Sequence, residues 1–135
     1  MLRLLLISAI LFVSVHAQEL VVVVSKNFDT NSVDKMTIKR LFLAKTNQLN
    51  GQKIKLLEIR SSDYQSAFYK EITGKSISQI HSYWTTLIFR GKGRPPKRVT
   101  EIEELKKRMR TENNYLAYIP RAQVDEQMKI IYSVE

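Results

Sequence analysis

Arg60-Ser61-Ser62 places a charged donor and two hydroxyls on consecutive residues, directly after the largely apolar run Ile54-Lys-Leu-Leu-Glu-Ile59. The run reads as a strand. Ser62 or Asp63 caps the helix expected to follow, so the triplet stands at a strand-to-helix junction. The first amides of a helix have no intrahelical acceptor and carry partial positive charge, which makes such a junction attractive to anions. Arg60 has the planar fork that clasps a tetrahedral oxyanion through two contacts. Ser61, Ser62 and Ser66 add hydroxyl donors. The same residues admit a plainer reading, a capped surface helix whose arginine pairs with Asp63 or Glu58. Ser25 and Asn27, after the first strand, are the candidates for a facing loop.

The second constellation is the loop from Arg90 to Arg98, RGKGRPPKR, with five basic residues and no acid. Cations spaced by Gly and Pro suit an arm that touches an anionic surface, or a solvated connector. Gly91 and Gly93 make no nucleotide fingerprint without a preceding strand. Trp84 falls on a helical apolar stripe and is expected in the core. His81, without cysteines or carboxylates at ligand spacing, is no metal site. No nucleophile–base–orienter set is present, and neither catalysis nor a cofactor is expected.

The elements that must hold these groups follow from hydrophobic period. Glu19–Ser25 (ELVVVVS) is continuously β-branched, as in a strand buried on both faces of a parallel sheet. Ser32 is expected to cap a helix to about Leu43, with Val33, Met36, Ile38, Leu41 and Phe42 on its apolar side. Asn50-Gly51 marks a turn. After the junction comes a helix burying Ala67, Phe68 and Ile72 and stopping at Gly74. The next helix starts at Ser76 or Ser78, carries Ile80, Trp84, Leu87 and Ile88, and ends near Arg90-Gly91. Thr100 and Glu103 form a capping box for a helix to Arg110, with Ile102, Leu105 and Met109 inside. Its outer face carries the pairs Glu103/Lys107 and Glu104/Arg108. Tyr115–Ile119 and Met128–Val134 read as the last strands. Alternating strands and helices predict an α/β fold: a single three-layer lobe with a mostly parallel sheet flanked by helices. Ligands of such sheets sit beyond the carboxyl ends of the strands.

The 135-residue chain has a formal net charge of +9, which favours anionic partners. Its start, MLRLLLISAILFVSVHAQ, has a positively charged beginning at Arg3, an apolar stretch from Leu4 to Val15, and small residues in Val15-His16-Ala17. These are the parts of a secretory signal over residues 1–17, too short to span a bilayer, leaving a domain over residues 18–135. The expected location is periplasmic, because a small exported chain without cysteine has neither disulfides nor the lipidated cysteine of a membrane tether. Nucleic acid, the usual partner of so basic a chain, is not expected for an exported one.

Three blocks carry a resemblance. Lys39-Arg-Leu-Phe-Leu-Ala-Lys45, followed by Asn50-Gly51 and a strand, is similar to an "IFLGK … W.dG..I" pattern. Tyr83-Trp84 with Leu87-Ile-Phe-Arg-Gly-Lys-Gly-Arg-Pro-Pro96 resembles "W…IFtGkG.pP", and Asn114-Tyr-Leu-Ala-Tyr-Ile-Pro120 resembles "GaIGYvP". In order and spacing these resemble the short exported relatives of phosphate-binding proteins from ABC-type uptake, in the type 2 periplasmic-binding-protein superfamily. The resemblance implies a non-enzymatic solute-binding module for phosphate or another oxyanion, with Arg60 and Ser61 in the place of a family "RsdgSGT" loop. The SGT-like turn itself is replaced by Tyr64-Gln65, and Ala44 and Ala117 stand where the family has glycine. The alternative is a ligand-free interaction or sensory domain that docks on a membrane transporter or sensor protein.

Overall fold

The computed structural model describes residues 19–134; the leader expected over residues 1–17 and its boundary before Gln18 lie outside them. The strands are β1 (Leu20–Ser25), β2 (Gln48–Leu49), β3 (Gln52–Lys53), β4 (Lys55–Ile59), β5 (Lys97–Val99), β6 (Tyr115–Pro120) and β7 (Met128–Ser133). The helices are α1 (Lys35–Phe42), α2 (Ser62–Thr73), α3 (Ile77–Phe89) and α4 (Ile102–Thr111), with a short 3₁₀ turn at Arg121–Gln123. Five strands form one sheet in the order β5-β4-β6-β1-β7, and β2 and β3 form a small hairpin beside it. The architecture is the expected three-layer α/β lobe: α1, α2 and α3 cover one face of the sheet and α4 the other.

All six residues of β1 are buried, with Leu20, Val22 and Val24 facing α1–α3 and Val21 and Val23 facing α4. Burial on both faces is what the β-branched run predicts, since each such side chain stabilises the fold by about 1.5–3 kcal/mol on leaving water. Its direction is a correction. β1 runs antiparallel to both its neighbours, β6 and β7, whereas β4, β5 and β6 are mutually parallel.

Several local expectations also change. Asp34, not Ser32, caps α1, accepting from the Thr37 amide at 2.8 Å and the Thr37 hydroxyl at 2.7 Å. Met36 is 58% exposed, leaving Ile38, Leu41 and Phe42 as the buried side of α1. Ser61 rather than Ser62 or Asp63 caps α2, whose inner face is Gln65, Phe68, Tyr69 and Ile72, with Ala67 exposed. Gly74 ends α2 at φ 73°, the left-handed geometry that favours glycine. A capping box between Ser76 and Gln79 opens α3. No such box forms at α4: its cap is Glu101, which makes no side-chain bond. Of its two expected outer pairs, Glu104–Arg108 forms, at 3.1 Å. Asn50-Gly51 turns the β2–β3 hairpin with both φ angles positive, the combination a tight hairpin requires. Trp84 is buried among the α3 core residues, as its spacing predicts.

Candidate functional site

Because β4, β5 and β6 are parallel, the loops that leave them gather at one end of the sheet. Arg60 is the first residue there. Its amide donates to the Val99 carbonyl at the end of β5 (2.8 Å), and the Ser61 amide donates back to Ile59 O (2.8 Å). The second bond closes a three-residue turn with Arg60 at the apex. Such a turn sends the side chain of Arg60 outward. The side chain is exposed and makes no ion pair or hydrogen bond among the described residues.

Ser61 then enters α2 in extended geometry, and its Oγ accepts from the Tyr64 amide at 3.3 Å. The Gln65 amide is taken by Ser61 O at 3.0 Å. The amides of Ser62 and Asp63 have no acceptor among the described residues and remain available to a ligand. Ser61 keeps its hydroxyl proton for donation outward. Ser62 is exposed, and Ser66, one turn further along the helix, is half-buried. The arrangement is an open mouth with a free guanidinium, two free amides and hydroxyls. Asp63, in the same first turn, places a negative group beside them.

Beneath the mouth lies a network that sequence reasoning missed. Glu58, only 1% exposed, accepts from Tyr118 Oη (2.8 Å), Arg98 Nε (3.0 Å) and Gln65 Nε2 (3.2 Å). One carboxylate thereby ties β4, β5, β6 and α2 together two residues before Arg60. A buried carboxylate requires such partners, because its charge has lost water. Glu58 is therefore engaged by Arg98 and not by Arg60, and neither pairing considered for Arg60 forms. Burial, followed by the Glu58 charge, pushes the Tyr118 hydroxyl far above its ordinary range. Tyr69 is pushed the same way by the same two causes, and its buried hydroxyl has no partner in hydrogen-bond geometry among the described residues. The signal for this network was a lone Glu in an otherwise apolar strand end, read together with a Tyr and an Arg on flanking strands.

Ser25 and Asn27 are not part of the mouth. In register, Val24 lies opposite Leu116 and Leu116 beside Leu56, so the carboxyl end of β1 sits at the amino end of β4. The antiparallel direction of β1 removes the facing loop to the other end of the sheet. Ser25 Oγ is spent there, donating to the carbonyls of Met109 (2.9 Å) and Glu112 (3.1 Å) as α4 ends. Asn27 is exposed nearby in the chain.

The basic segment also divides. Residues 90–96 form a loop, but Lys97 and Arg98 belong to β5, a strand the sequence reading did not anticipate. Ile88 and Phe89, ending α3, are 54% and 92% exposed. His81 is exposed, and no group of three or more His, Cys, Asp or Glu able to hold a metal occurs among the described residues. No helix among them is long and apolar enough to cross a membrane.

The fold is shared with phosphate-binding proteins of known structure. An ABC-type phosphate transport receptor from Vibrio cholerae matches with a TM-score of 0.64 and 16% identity, over 84% of this chain and 45% of that one. A putative phosphate ABC transporter substrate-binding protein with bound phosphate from Clostridium perfringens matches at 0.65 and 14%, over 84% and 44%. A possible phosphate binding protein from Planctomyces limnophilus matches at 0.59 and 13%, over 84% and 40%. No protein-family model and no curated protein matches the chain. The chain has the α/β fold of these substrate-binding proteins and spans less than half of their length.

Proposed function

We propose that this protein is an exported, periplasmic, non-enzymatic solute-binding module whose ligand is phosphate or a related oxyanion. Arg60, Ser61, Ser62 and Ser66 hold that ligand at the β4–α2 junction. The observation that carries the reading is the unpaired Arg60 guanidinium beside the free Ser62 and Asp63 amides, at the carboxyl end of three parallel strands. The shared fold with proteins described as phosphate-binding supports it. Ser25 and Asn27 drop out of the ligand shell.

A thermal-shift panel of phosphate, sulfate and other oxyanions tests the module. Ligand at 100 times its Kd adds about 2.7 kcal/mol of stability. Hydrogen bonds to charged groups contribute about 1.5–3 kcal/mol, so Arg60→Ala should weaken the anion at least tenfold with folding unchanged. Arg60→Lys should restore only part, since an ammonium lacks the two-pronged geometry. Calorimetry that shows equal affinity for Arg60→Ala and wild type removes the site assignment. Export is checked separately by intact mass from a periplasmic extract, where Gln18 is the expected first residue; a retained Met1 refutes it.

The exposed Ile88 and Phe89 beside Arg90 favour a second reading, docking on a membrane transporter or sensor protein through the end of α3. In that case the anion panel is flat, and Phe89→Ala with Arg94→Ala abolishes capture of the partner while Arg60→Ala does not.

A further inference from the structure

A groove of about 420 Å³ lies at the end of the lobe away from Arg60, between the close of α1 and the loop that leads into β5. Its cations are Lys45, Lys92 and Arg94, and its apolar wall is made by Leu41, Ile54, Leu56 and the Pro95-Pro96 pair. Every lining residue comes from the stretches 35–57 and 72–100, neither of which contains an Asp or Glu. None of the three cations forms an ion pair among the described residues. Positive charge over apolar surface, with no acid to neutralise it, is an uncommon lining for a groove that binds nothing.

The groove is held in shape. Ala44, at its base, adopts φ 53°, and Gly93 approaches so closely that a Cβ there would lie 3.0 Å from Ala44 Cβ and 2.9 Å from Leu87 Cδ2. The Tyr83 hydroxyl donates to Leu43 O, and Lys45 Nζ stands 5.8 Å from the centre of the Tyr83 ring. The end of α1 is thus held to α3 by a hydrogen bond and a cation–π contact, and to the loop by the close packing of Gly93, before any ligand arrives.

We propose that this groove binds an anionic amphiphile: a carboxylate or phosphate head paired with Lys45, Lys92 and Arg94, and a short apolar chain or ring lying on the Leu41–Leu56–proline wall. Two parts of the lining dictate two parts of the ligand. Inorganic phosphate leaves the apolar wall wet, and a neutral alkyl compound leaves the cations unused. Neither is a good occupant. Whether the head group is free in solution or belongs to an anionic lipid, the chemistry it presents to the groove is the same. The site is independent of the Arg60 mouth.

Calorimetric titration of the full chain with octanoate, 1-octanol and inorganic phosphate tests the proposal, alongside sedimentation with phosphatidylglycerol vesicles. Octanoate should bind in a saturable one-to-one manner at least tenfold tighter than 1-octanol. Arg94→Glu and Lys92→Glu, exposed residues whose exchange leaves folding intact, should each weaken octanoate at least tenfold. Arg60→Ala should leave octanoate unchanged, which separates this site from the oxyanion mouth. Reversal of a remote exposed charge, Arg110→Glu, should have little effect. Vesicle binding that depends on Arg94 and Lys92, without octanoate binding, identifies the lipid head group as the source and sustains the proposal. No saturable binding by octanoate or vesicles, equal binding by the charge variants, or displacement of octanoate by an equal concentration of phosphate overturns it.

Discussion

The two cationic regions stand at opposite ends of β4, about 15 Å apart by the rise of its strand, and they are built differently. The mouth is made from backbone: a tight turn, a capped helix start and free amides, with one arginine added. The groove is made from side chains: three cations over an apolar wall, with backbone entering only through the left-handed Ala44 and the close approach of Gly93. Backbone donors suit a small, hard oxyanion that needs directional bonds. Cations over apolar surface suit a larger ligand with a charged end. Net charge alone would assign both regions the same role; their construction separates them.

The comparison breaks first at the core. Trp84 is 5% exposed on α3, next to the Tyr83 that clamps the groove. Trp84→Ala should cost about 3–5 kcal/mol in denaturant unfolding, and groove binding should weaken more than oxyanion binding. Near-neutral stability with lost binding would make Trp84 a ligand contact.

Glu58 is the corresponding support of the mouth. Glu58→Gln keeps the shape and removes the charge, leaving one acceptor oxygen for the Arg98, Gln65 and Tyr118 donors that now share two. Breaking a fully buried pair costs about 3–5 kcal/mol, but Arg98 is 37% exposed and can turn to water, so about 2 kcal/mol is expected. The change should weaken oxyanion binding and leave octanoate binding unaltered. Equal loss at both ends would show that Glu58 supports the lobe as a whole.

Alkali should act on the same network. The hydroxyls of Tyr118 and Tyr69 are held neutral in the folded protein, above their ordinary range. Their contribution to stability is complete below the ordinary tyrosine pKa of about 10 and is lost as pH rises further, because the unfolded chain gives up those protons first. Urea midpoints between pH 8 and 11 should therefore fall at the alkaline end. Tyr118→Phe should flatten that fall, while leaving Glu58 one donor short costs about 1–3 kcal/mol at neutral pH.

The smallest effect is expected at the base of the groove. Ala44 at φ 53° carries left-handed strain of about 1 kcal/mol or slightly more, and it stands where the resembling pattern has glycine. Ala44→Gly should relieve most of it, raising stability by about 0.5–1 kcal/mol in a thermal melt. A loss of stability would mean that the methyl contact with Gly93 outweighs the strain.

Local runs and caps made much of this legible. The strands at Leu20, Lys55, Tyr115 and Met128, the stop at Gly74, the start at Ser76 and the buried Trp84 all follow from patterns of a few residues. The direction of β1 did not, because a strand buried on both faces has the same composition whichever way it runs. Its partners lie about a hundred residues away, Leu20 against Pro120. That one ambiguity moved Ser25 and Asn27 to the wrong end of the site. β5 was hidden because two of its three residues are basic, so Lys97-Arg98-Val99 reads as loop until Leu57, Glu58 and Ile59 pair with it. Ile88 shares the spacing of Trp84, yet the last turn of α3 leaves the core, which period alone does not reveal.

The place of β1 also bears on how the chain folds. The earliest described strand is clasped between β6 and β7, the two latest, so the centre of the sheet cannot form until nearly all the described chain is present. Contacts so distant in sequence make folding slow, because a long loop must close before they form. A chain emerging from the ribosome would therefore carry its most apolar strand unpaired for most of its synthesis, open to chaperones and to any machinery that handles unfolded polypeptide.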